Sequence, residues 1–110
     1  MANKYINKAF DLSTTDATII YTVPAETVAI VKAVQAYNDT ASAVTVTMSF
    51  TDASASTTYN IGYATSSTVQ QFSLLSDSLL VLEESDILIL TASVGTQVTG
   101  VASILEQDRT

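Results

Sequence analysis

Glu83, Glu84 and Asp86 crowd one stretch of this chain, and clustered carboxylates are the first place to look for chemistry. Hard cations take several oxygen ligands, which such a loop supplies. The spacing follows no D-x-D-x-D-G cation loop, so the expectation is a solvated turn without metal. The eleven acidic residues offer many pairs for glycosidase-like acid/base work, yet nothing in their spacing selects two of them. Histidine and cysteine are both absent. The usual general base near neutral pH, the commonest metal ligand and the thiolate nucleophile are therefore missing. Serine is plentiful, but there is no G-x-S-x-G elbow. Gly62, Gly95 and Gly100 are isolated, so none builds a phosphate-cradling loop. The expectation is a protein that is not an enzyme and needs no cofactor.

Binding is the remaining chemistry. Tyr59 and Tyr63 are candidate interface residues, since tyrosine joins an apolar ring to a polar tip. The competing reading puts them half-buried on an ordinary sheet. Tyr5, Ile6, Lys8 and Phe10 form a second candidate group near the N-terminus. Residues 1–12 read either as an arm that docks elsewhere or as an edge strand, in balance.

Charge narrows the partners. Eleven acidic against four basic residues leave −7, which repels phosphate backbones and anionic lipid. Neither nucleic acid nor membrane is an expected partner. Lys4, Lys8 and Lys32 sit in the first third and Arg109 at the end. No apolar run approaches the ~18 residues of a membrane span, and Met1–Phe10 shows no signal-peptide core.

The elements that must carry these residues are strands. Val44, Val46, Met48 and Phe50 alternate with Thr45, Thr47 and Ser49, the period of a sheet with one dry face and one wet face. Similar rhythm marks Tyr5–Leu12, Ala17–Val23, Thr27–Asn38, Thr57–Tyr63, Val69–Leu75, Leu79–Leu82, Ile87–Ala92 and Gln97–Leu105. In the third, Val28, Ile30, Lys32, Val34 and Ala36 share one predicted face. In Thr57–Tyr63, Tyr59, Ile61 and Tyr63 share one. Pro24 ends the second strand by removing a donor. Turn clusters fall at Ser13–Asp16, Asn38–Ala41, Asp52–Ser56, Asp77 and Gly95. Leu and Glu make a helix over 79–90 the main local rival, but Ile87-Leu88-Ile89-Leu90-Thr91 favours strand. Gly100, inside a strand, marks a bulge or a close backbone approach. About eight strands with frequent turns read as an all-β antiparallel sandwich, jelly-roll-like, in a single domain over 1–110.

Two stretches carry a family likeness. Tyr21-Thr22-Val23-Pro24-Ala25-Glu26-Thr27-Val28-Ala29-Ile30-Val31-Lys32-Ala33-Val34, with Tyr37-Asn38, resembles the VPAG-T-A-IVKSI opening of small β-sandwich structural proteins of tailed bacteriophages. Leu80-Val81-Leu82-Glu83-Glu84-Ser85-Asp86-Ile87-Leu88 is similar to their later LVLEAGD-x-L segment. Glu26 and Ser85 stand where that family usually has glycine, so both turns lack glycine's free access to positive φ. The resemblance implies a virion component without catalytic residues. The expected role is capsid decoration, on the outer face of the shell of major capsid protein, as a homo-oligomer, with a trimer the first guess. The alternatives are a neck, tail or fibre subunit, or a non-viral carbohydrate- or surface-binding module.

Overall fold

The computed structural model describes residues 3–39, 42–75, 79–94 and 98–108. Among them the chain forms nine strands: β1 (Asn3–Leu12), β2 (Thr18–Thr22), β3 (Thr27–Asn38), β4 (Val44–Asp52), β5 (Thr57–Ser66), β6 (Gln70–Leu75), β7 (Leu80–Leu82), β8 (Ile87–Ala92) and β9 (Val98–Asp108). The region 79–90 holds β7 and the start of β8, joined by a turn over 83–86, and no helix, in keeping with its Ile87-Leu88-Ile89 run. The expected turns at Asp77 and Gly95, and Arg109, lie outside the described residues.

The strands stack as two antiparallel sheets. One runs β1-β9-β3-β6, with β7 also pairing β3; the other runs β2-β8-β4-β5. Apart from β7, this is the order of a double-sheet jelly roll, in which the chain crosses repeatedly between layers. One core joins the sheets through inward residues such as Leu12, Val31, Val34, Val46, Leu88, Leu90 and Ile104.

Residues 3–12 are an edge strand. β1 pairs with β9 from Asn3↔Gln107 to Leu12↔Val98. Its alternation turns Ile6, Phe10 and Leu12 inward, and Phe10 and Leu12 are buried in the core. Phe10 sits opposite Gly100. A methyl group at Gly100 would lie 2.1 Å from the Gln35 carbonyl oxygen and 2.5 Å from Phe10 Cζ. Gly100 is thus a close approach, with the Phe10 ring covering the missing side chain.

Bulges correct two expected faces. A register shift against β9 between Val31 and Ala33 leaves Lys32 unpaired and reverses the phase of β3. Ala29 and Val31 are buried before it, Val34 and Ala36 after it, so the predicted Val28/Ile30/Lys32/Val34/Ala36 face does not exist. On β5 a shift between Met48 and Ser49 leaves Ile61 as the extra residue. Phe50 pairs with Tyr59 on the inward side, whereas Thr47 pairs with Tyr63 on the outward side. The bulge therefore separates Tyr59 from Tyr63, which period-two counting places together.

Candidate interaction surface

Glu83 and Glu84 are exposed, as expected of a solvated turn, but Asp86 is not. Asp86 is buried, and each carboxylate oxygen accepts a backbone amide: Ala53 N at 2.9 Å and Glu83 N at 2.9 Å. The Asp86 N–H returns to the Glu83 carbonyl at 3.0 Å, closing the turn. Asp86 ties the β7–β8 turn to the β4–β5 loop, a local bond that short acidic side chains make readily. No group of three or more potential ligands among the described residues is arranged to hold a metal ion.

The same turn grips the turn that follows Pro24. Val23 N donates to the Asp86 carbonyl at 3.0 Å, and Ser85 N donates to the Val23 carbonyl at 3.1 Å. Glu26 N donates to Glu84 Oε1 at 2.6 Å. Glu26 and Ser85 both hold positive φ, 57° and 71°. The glycine-type backbone persists at both positions without glycine, at a cost of about 1 kcal/mol each. The bonds across the two turns help hold it.

A polar contact that sequence reasoning missed links the sheets. Tyr21 on β2 and Glu106 on β9 are both buried, and the Tyr21 hydroxyl donates to Glu106 Oε2 at 2.5 Å. Lys4 Nζ lies 3.9 Å from Glu106 Oε1. Burial above all, then the hydrogen bond and charge of Glu106, push the Tyr21 phenol well above its ordinary value of 10.0. A cleft of about 320 Å³ opens beside this site, lined by Lys4, Pro24, Thr27, Glu106 and Asp108. Glu106 is committed to the tyrosine and the lysine, so it acts as a tie between sheets. The signal was present: carrying the Ala102, Ile104 alternation one step further turns Glu106 inward.

The candidate interface residues part company. Phe10 is core and Ile6 is half-buried against it, so neither belongs to a free surface. Lys8 is exposed at the β1 margin. Tyr59 is about half exposed and tilts against Phe50, their ring centroids 5.9 Å apart. Tyr63 stands out from the opposite face, 75% exposed. Tyr5 is 76% exposed and faces outward, where Lys32 Nζ sits 5.6 Å from its ring centroid.

Around Tyr5 the outward face is apolar. The register aligns Tyr5, Leu105, Ile30 and Val81 in one row across β1, β9, β3 and β7. Val81 is 59% exposed. An antiparallel sheet usually turns polar residues to water, so this row departs from the pattern. The outward face of the other sheet mixes exposed Ile19 and Tyr63 with paired polar side chains. Thr45 meets Thr65 at 2.9 Å, Ser49 meets Asn60 at 2.7 Å, and Thr51 meets Thr58 at 2.8 Å.

The fold defines a class, the jelly-roll sandwich, with nine strands among the described residues. No family model matches the sequence, and no curated protein does. Among solved structures the chain is similar to a subunit of the Bacillus endospore appendages, described as a novel family of disulfide-linked pili. The identity is 13%, the likeness covers 98% of this chain and 87% of that one, and the TM-score is 0.53. It is also similar, at 14% identity over 82% of this chain and 63% of that one, to the Eiger TNF from S. frugiperda, with a TM-score of 0.48. At these identities the pilus likeness bears on the fold alone.

Proposed function

We propose that this chain is a non-enzymatic structural subunit of a bacteriophage virion, acting as a capsid decoration protein that binds the outer face of the major capsid protein shell. One observation carries the reading. The two segments that resemble phage structural proteins are far apart in sequence but meet as a cross-bonded pair of turns, through Val23, Asp86, Ser85, Glu26 and Glu84. At both places where glycine is replaced, the backbone keeps the glycine-type conformation. Such a pair braces one end of the sandwich and leaves its broad faces for contact. The buried acids Asp86 and Glu106 are occupied within the fold, which suits a building block. A neck, tail or fibre position in the same particle uses the same surfaces.

A second reading, a subunit of a surface filament, draws on the pilus-like fold. The filaments in that comparison are disulfide-linked, and these 110 residues contain no cysteine, so their assembly would be noncovalent. A carbohydrate-binding module is less well served, because the Ile61 bulge prevents Tyr59 and Tyr63 from forming one platform.

The test is binding to shells that lack the protein. The purified chain is expected to cosediment with them and to saturate at a fixed ratio to the major capsid protein. A chain that stays in the supernatant at every concentration overturns the decoration reading.

A further inference from the structure

We infer that the polar half of the outward β1-β9-β3-β6 face binds a neutral pyranose sugar, in a depression centred on Tyr37. The ladder sets Asp11, Thr99, Tyr37 and Gln71 in one row across four strands. Gln35 stands in the next row, opposite Val101. Thr99, Tyr37, Gln71, Gln35 and Val101 rim a depression of about 250 Å³, floored by Ala36 and Gly100. Both floor residues turn only backbone outward: Gly100 has no side chain, and the Ala36 methyl is buried in the core. The depression lies on the opposite sheet from Tyr59 and Tyr63, so the bulge that parts those two leaves it untouched.

The lining names the ligand chemistry. Gln71 Nε2 donates to Gln35 Oε1 at 3.2 Å, which holds the two carboxamides in place. Gln35 Nε2, Gln71 Oε1 and the hydroxyls of Tyr37 and Thr99 make no hydrogen bond among the described residues. Donors and acceptors thus stand side by side, the arrangement that adjacent sugar hydroxyls satisfy. Tyr37 is 41% exposed, and the negative face of its ring suits the C–H face of a pyranose. No lining side chain is charged, and the net charge of −7 repels acids. Asp11, at the end of the row, accepts one more hydroxyl and adds to that repulsion. Apolar area is confined to Val101 and the Tyr37 ring, so a purely hydrophobic ligand gains little here. A site this open holds a single sugar with a dissociation constant of about 1–10 mM. Many copies on one surface would hold a polysaccharide far more tightly.

The site stands apart from the virion reading. A chain that binds sugar yet ignores shells keeps the site and loses only the decoration role; a chain that coats shells without binding sugar does the reverse. The experiment is a proton–nitrogen NMR titration of the full chain with the methyl pyranosides of glucose, galactose, mannose and N-acetylglucosamine, and with glucuronate as the acidic counterpart. At least one neutral glycoside is expected to move the backbone amides of Gln35, Tyr37, Gln71 and Thr99 and the side-chain amides of both glutamines, and to saturate. Glucuronate is expected to leave them in place. Tyr37→Ala and Gln35→Ala, both at exposed positions, are each expected to weaken binding by about tenfold. Tyr63→Ala, on the other sheet, is expected to leave it unchanged. No shift with any of the four glycosides, shifts centred elsewhere, glucuronate binding as tightly, or undiminished binding in either folded variant overturns the inference.

Discussion

The Tyr21 hydroxyl reaches across the sandwich to Glu106, joining β2 in one sheet to β9 in the other at 2.5 Å. Tyr21→Phe removes the donor and leaves a buried carboxylate oxygen short of a partner. The expected loss is about 1–3 kcal/mol in urea unfolding. Glu106→Gln, which keeps a hydrogen-bonding oxygen without the charge, is expected to lose less than Glu106→Ala.

That bond also sets an alkaline limit. The folded phenol holds its proton above the ordinary value of 10.0. Below that pH both states keep this proton and the phenol adds no pH dependence to stability. Above it the unfolded chain loses the proton while the folded chain keeps it. Stability then falls as pH rises, by up to about 1.4 kcal/mol per unit. Unfolding midpoints measured across the alkaline range are expected to show this limb in wild type and a shallower one in Tyr21→Phe.

Gly100 tolerates no side chain. Its added methyl would meet β3 backbone as well as Phe10. Gly100→Ala is expected to cost about 1–3 kcal/mol or more, and Phe10→Leu is not expected to rescue it, because the Gln35 carbonyl remains in the way. Full recovery in that double variant would show that the ring alone causes the crowding.

Asp86 serves two backbone amides, and calcium has no vacancy to fill there. Asp86→Ala is expected to destabilise by about 2–4 kcal/mol. Calcium titration is expected to leave the wild-type melting temperature unchanged. A clear rise with calcium would contradict the structural role of this carboxylate.

Positive φ at Ser85 gives a prediction of opposite signs. Ser85→Gly relieves about 1 kcal/mol of backbone cost and returns most of it as unfolded-chain entropy, so its stability is expected to match or slightly exceed wild type. Ser85→Val forces a β-branched residue into the same region and is expected to lose about 1–2 kcal/mol. Thermal melting of the pair checks both.

Much of this fold was legible because alternation survives wherever the ladder is regular. Val44, Val46 and Met48 are buried as their spacing requires. Phe50 keeps the phase but lies near the margin, only partly buried against the core. Phe50→Ala is therefore expected to cost less than the ~3–5 kcal/mol of a fully buried phenylalanine. What alternation cannot reveal is where a residue is inserted. The bulges at Lys32 and Ile61 each reverse a face, and neither position has a side chain that announces it. The N-terminal strand was ambiguous for another reason. Lys4 and Lys8 look like a solvated arm, although Phe10 and Leu12 complete the core. Lysines on an edge strand also guard it against pairing with other chains. The apolar outward row needed the register, since its members come from separate strands.

Electron cryomicroscopy of purified virions that encode this chain tests the central claim most directly. The account predicts density for the two-sheet sandwich at fixed, symmetry-related positions on the outside of the shell. Particles whose outer surface holds no such density, with the protein found only in the surrounding lysate, would contradict it.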